Sequence, residues 1–265
     1  MLYPGFSWAE FSILAGIGIL GFIVNAVVVL ARGASEEEGC NNFFDQFLGV
    51  PFGVFFGLLA AHAIAQPVAP ILEGYLSGHP PTDLVTLLAP DGLKLGAVVG
   101  LVRLILVFCF AIPRGSGSVI YRLRVNSVLK IVLSALVAIP DEILSRLTSL
   151  TVGVWVITSI LSWTGHGVTN HPPAVVYWIL ISIIALTQAI SQSVVFWGSF
   201  TEFDDEPPLI LGIGRFIVDL ASAMLFGYLF WHFSLEVAIA SHMCFNAVRG
   251  LVQPQVLIKG SATDQ

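Results

Sequence analysis

Two short runs carry chemically active residue types in an otherwise apolar chain. The first is Asp141-Glu142-Ile143-Leu144-Ser145-Arg146, preceded by Ala138-Ile139-Pro140. Apolar stretches flank it, Ile131 to Val137 upstream and Leu147 to Leu161 downstream. A charge at membrane depth is costly, so acids placed there mark a function or a partner. Glu142 and Arg146 are four apart and share one helix face, in the order that favours an ion pair. Asp141 lies about 100° around the helix from Glu142, so Arg146 cannot satisfy both acids equally. Two adjacent acids exceed what helix packing needs. A desolvated carboxylate of this kind can act as general base toward water. A purely structural ion pair is the alternative.

The second run is His242-Met243-Cys244-Phe245-Asn246. His242 and Asn246 fall on one helix face, one turn apart. Alone, a buried His is hydrogen-bonded core. Paired with Asn on one face, it makes a set of donors that could stabilise an oxyanion in a dry site. Arg215 and Asp219 form another four-apart pair with no chemistry beside it, which reads as a structural lock. Arg103 has no partner in its own helix and either snorkels or pairs across helices. Glu236 reads as a first-turn acid favoured by the dipole of its own helix. His62, His79, His166, His171 and His232 are scattered and read as loop or interface residues.

The elements that position these runs are transmembrane helices. The 265 residues are 56% hydrophobic and only 11% charged, against about 25% charged in soluble domains. Mean hydropathy is +0.90. So few charges cannot solvate a surface of this size, and the expected class is an all-α polytopic membrane bundle. Applying a span of about 20 apolar residues gives candidates at 11–31, 47–72, 93–112, 127–147, 149–163, 174–199, 208–231 and 234–252. The fifth is short. It is either a half-span or a continuation of the fourth, so about seven or eight helices are expected. The first is read as a retained helix, because no Lys or Arg precedes it and Arg32 disrupts a cleavage site.

The loop 113–126 holds Arg114, Arg122 and Arg124, the densest basic cluster, and the positive-inside rule places it in the cytoplasm. The acidic loop Glu202 to Pro208 falls on the far side if the fifth segment spans. Gly96-x-x-x-Gly100 reads as a helix-packing surface; Gly53-x-x-x-Gly57 shares the pattern, and neither reads as a site. The net charge of −6 argues against a nucleic-acid partner. Cys40, Cys109 and Cys244 suggest neither a disulfide framework nor a metal site. Ligand spacing does not support a divalent metal, and no cofactor is indicated. There is no His-Glu-x-x-His, no Gly-x-Ser-x-Gly and no phosphate-binding glycine loop.

In this order, the two runs resemble the CPBP family of CAAX-type prenyl endopeptidases and bacteriocin-processing intramembrane proteases. That family carries Glu-Glu-x-x-x-Arg, Phe-x-x-x-His and His-x-x-x-Asn on membrane helices. Asp141 to Arg146 is similar to the first motif and His242 to Asn246 to the third. Gly227-Tyr228-Leu229-Phe230 and Ser234-Leu235 are similar to the approach to the last. The resemblance covers roughly 127–252, a CPBP-like core preceded by helices and loops over 1–126 of a single membrane domain. There are two departures. Asp141 stands where the family has glutamate. Phe196 fits the Phe of the middle motif, but Phe200 stands where its His is expected.

The resemblance implies an intramembrane cavity and hydrolysis of a peptide bond in a membrane-associated or lipidated substrate. Asp141 or Glu142 would be the base, Arg146 its orienter, and His242 and Asn246 the oxyanion donors. The alternatives are a catalytically inactive scaffold of the same fold and, in another class, an ion-coupled transporter using Asp141, Glu142 and Arg215.

Overall fold

The computed structural model describes residues 6–30, 36–79, 94–111, 119–125, 128–165, 172–201 and 209–258. The helices are α1 (Trp8–Leu30), α2 (Glu36–Ala63), the short α3 (Pro70–Leu76) and α4 (Lys94–Ala111), then α5 (Val128–Leu136) and α6 (Ala138–Glu142). A π-helical segment, Ile143–Leu150, leads into α7 (Thr151–Trp163). After it come α8 (Ala174–Thr201), α9 (Leu209–His232) and α10 (Leu235–Leu251). Outside this helical core, β1 (Val119–Val125) and β2 (Val252–Ile258) pair as a two-stranded antiparallel ribbon.

Among the described residues, three helical runs are long and apolar enough to cross a membrane: Ile131–Trp163, Ala174–Val194 and Gly212–His232. Trp8–Val24, Gly49–Ala63 and Leu235–Val248 are shorter apolar helices. The fourth and fifth expected spans are therefore one continuous element. Its 33 residues extend about 50 Å at 1.5 Å per residue. Residues 202–208 of the acidic loop, like His166 and His171, lie outside the described residues.

Pro140 cannot donate a backbone hydrogen bond, and the helix is interrupted at Val137 just before it. Beyond Glu142 three hydroxyls bond back five residues, in the register of a π-helix. Thr148 Oγ1 donates to the Ile143 carbonyl at 3.1 Å, Ser149 Oγ to Leu144 at 2.9 Å and Thr151 Oγ1 to Arg146 at 3.1 Å. The Thr-Ser pair that makes 147–149 look like a break in the sequence instead keeps the helix running.

Close approaches set the helix directions. Phe11 packs on Phe55 and Gly18 faces Val50, so α1 and α2 are antiparallel. Leu180 lies against Gly153 and Gln188 against Arg146, so α8 runs opposite to α7. Tyr177 stacks on Trp231 and Ile181 touches Gly227, so α9 runs opposite to α8. Gly96 faces Ser241 and Gly100 faces Phe245 and Val248, so α4 runs parallel to α10.

The second glycine pair thus makes the helix contact expected of it. A Cβ on Gly96 would overlap the Ser241 carbonyl oxygen. Gly53 and Gly57 serve the same purpose for α2 against the π segment; a Cβ on Gly57 would sit 2.5 Å from the Leu147 carbonyl oxygen. Backbones this close gain dispersion contacts and need no apolar side chain between them.

The core gathers Val54, Ile143, Leu147, Leu150, Ile181 and Leu229 around the π segment. Leu20, Phe52, Val98, Ile183 and Ile217 are exposed, so the outer surfaces of the helices stay apolar. The first 126 residues do not form a separate layer. Helices α1 and α2 pack on α6 and the π segment, and α4 packs on α9 and α10.

Candidate functional site

Glu142 closes α6 immediately before the π segment, and Arg146 lies one turn into it. Both are fully buried, at 1% and 0% exposure. Arg146 Nε stands 3.4 Å from Glu142 Oε2, the pair expected from the four-residue spacing. The guanidinium is held from two further helices. Its Nη2 donates to the Ala223 carbonyl of α9 at 2.8 Å and to Gln188 Oε1 of α8 at 3.2 Å.

His242 comes from α10, seven residues after its start at Leu235 and nine before its end at Leu251. Ser234 caps that helix, its Oγ accepting from Val237 N at 3.3 Å. The His242 ring lies flat on Phe226, with centroids 4.6 Å apart and planes 17° apart. Its Nδ1 is 2.8 Å from Glu142 Oε1, across 100 residues of sequence. A carboxylate paired with Arg146 is acceptor-only, so Nδ1 carries the proton and donates it to Glu142. Nε2 is left as the nitrogen outside that bond.

Glu142, Arg146 and His242 therefore form one network, with Gln188 and Ala223 attached. Asn246 is one turn beyond His242 and buried. Asp141 is exposed beside its buried neighbour. It is near enough to Arg146 to interact electrostatically, and its backbone carbonyl accepts from Ser145 Oγ. The two acids divide by burial: Glu142 pairs with Arg146 inside the core, and Asp141 is exposed.

The other charged candidates are placed as follows. Arg215 Nε lies 3.4 Å from Asp219 Oδ2 within α9, the four-apart pair read as a lock. Glu236 does more than favour its own helix. Its Oε1 accepts from the N–H groups of Ile71 at 3.1 Å and Leu72 at 3.0 Å, so it caps α3 across 165 and 164 residues. The side chains of Arg103, Cys109, Phe196 and Phe200 lie outside the described residues. Cys244 is half-buried. Among the described residues no group of three or more His, Cys, Asp or Glu is arranged to hold a metal ion.

Gln188 is the site residue that sequence reading missed. The signal was present, because Thr187-Gln188 and Ser191-Gln192-Ser193 interrupt an otherwise apolar helix. Register explains its importance. With Leu180 opposite Gly153 and Gln188 opposite Arg146, the part of α8 level with Asp141 and Glu142 is near 192 and 193. Position 200 lies about 12 Å farther along the helix, at 1.5 Å per residue. The α8 element level with the acids is the polar stretch Gln188–Ser193, not Phe200.

No family model, no curated protein and no solved structure matches the chain.

Proposed function

We propose that the chain is a multi-pass membrane hydrolase of CPBP type that cleaves a peptide bond of a membrane-associated or lipidated substrate. The observation that carries this reading is the 2.8 Å bond between Glu142 and His242. It joins the two runs whose order suggested the family, although they lie 100 residues apart and on different helices.

In this reading Glu142 is not the water-activating base, because it is buried, bonded to His242 through Oε1 and ion-paired with Arg146. Asp141, exposed beside it, takes that role. It removes a proton from water as the oxygen adds to the substrate carbonyl carbon. The amide of Asn246 then holds the oxyanion, with His242 fixed one turn away by its bond to Glu142. The proton passes from Asp141 to the amine as the C–N bond breaks.

The alternating helix directions support seven crossings, with 128–163 counted as one. The end shared by the C-termini of α4 and α10 is the cytoplasmic one. In sequence, Arg32, Arg114, Arg122, Arg124, Lys130, Arg215 and Arg249 all fall at that end. The β1–β2 pairing agrees, since an even number of crossings separates the two strands.

A catalytically silent scaffold is the second reading. It is favoured by α8, which offers Gln188 rather than a second histidine where the network meets it. A proteoliposome cleavage assay separates the two. Wild type is compared with Asp141→Ala, Glu142→Ala and His242→Ala, using quenched fluorescent peptides with and without a prenylated cysteine. Cleavage by wild type that drops in all three variants supports the hydrolase; no cleavage by any protein supports the scaffold, and equal cleavage by all four rules out this site.

A further inference from the structure

Arg146 has no access to solvent, and its hydrogen bonds come from two helices that contribute nothing else to the charged network. The Ala223 carbonyl is fixed by the backbone of α9. The second Nη2 contact is a side chain, Gln188, and a side chain is what could hold the guanidinium to one rotation. Arg146 Nε faces Glu142 Oε2 at 3.4 Å, a separation at which the pair attracts but the hydrogen-bond geometry is not met. The orientation of Glu142 therefore depends on where the guanidinium is held from behind. Glu142 in turn sets which nitrogen of His242 carries the hydrogen-bonded proton.

We propose that Gln188 is a positioning residue of this site. It anchors Arg146 so that Glu142 keeps its Oε1 on His242 Nδ1 and His242 presents Nε2 outward. A chain of contacts runs from α8 through the π segment and α6 to α10: Gln188, Arg146, Glu142, His242. The polar stretch of α8 joins the site through the Gln188 amide. The proposal rests on the hydrolase reading for its purpose but not for its test.

The test is the Nδ1–H resonance of His242 in uniformly 15N-histidine-labelled protein in detergent micelles, assigned by its loss in His242→Gln. In wild type it is expected as a downfield, slowly exchanging signal, as befits a proton shared with a buried carboxylate. Gln188→Met keeps the volume and removes the strong acceptor, and should lose the signal to exchange. Gln188→Glu keeps an acceptor oxygen for Nη2 and should retain it. Gln188→Asn sets the carbonyl back by one methylene and should weaken it, which gives a second reading if the Met variant does not fold. A wild-type signal in both Gln188→Met and Gln188→Asn overturns the proposal, as does its equal loss in the Met and Glu variants. Because no substrate is present, a protein with the expected signals but no cleavage would refute the hydrolase reading alone.

Discussion

Two ion pairs in this molecule look the same locally and differ in everything around them. Arg146–Glu142 and Arg215–Asp219 are both four apart on one helix, and both close to 3.4 Å. Arg215 keeps 22% of its side-chain surface exposed, and its ion pair stays within α9. Arg146 keeps none and is held from α8 and α9, while its partner reaches α10. Pair spacing therefore says little about function. What distinguishes the two is how completely the pair is buried and that the carboxylate of one meets a histidine from another helix.

The largest expected effect breaks the buried pair on one side only. Arg146→Met leaves Glu142 buried without its cation and should cost about 3–5 kcal/mol of stability. Reversible unfolding in mixed micelles checks this. Arg215→Met, read in the same assay, should cost less than Arg146→Met, because the Arg215–Asp219 pair is less completely buried. Equal losses would erase the distinction between the two pairs.

A smaller effect sharpens it. Glu142→Leu combined with Arg146→Met removes both charges, so most of the stability lost in the single variant should return. Cleavage should not return, since His242 no longer has a carboxylate on Nδ1. A double variant that is both stable and active would make the buried pair a lock like the other one. Smaller still, Gly96→Ala forces α4 away from Ser241 and should cost about 1–3 kcal/mol. Its effect on cleavage should follow its effect on the thermal midpoint, because the contact it breaks is packing against the α10 backbone.

The same contrast shows how far the sequence could be read. Spacing within one helix was legible: Glu142 to Arg146, Arg215 to Asp219, and the small-residue face of Gly96 and Gly100. These are short-range facts set by 3.6 residues per turn. The bond from Glu142 to His242 was not legible from spacing, because helix packing, not local geometry, brings residues 100 apart together. Gln188 was hidden for the same reason. A lone amide in an apolar helix declares no partner until α8 is placed against the π segment. The count of spans was ambiguous at 147–149, where hydroxyl residues resemble a loop but bond to carbonyls five residues back. Glu236 is the first-turn acid of its own helix, and its second role, capping α3, needed the fold to be seen.

The most direct test of the site as a place of chemistry uses Asp141, because it is exposed and can be changed to an amide of the same size. Asp141→Asn in proteoliposomes, assayed with the same quenched peptides, should lower cleavage about 10²–10⁴-fold, as for loss of a general base. Its unfolding midpoint should match wild type. An Asp141→Asn protein that cleaves as fast as wild type would contradict the assignment of water activation to this residue.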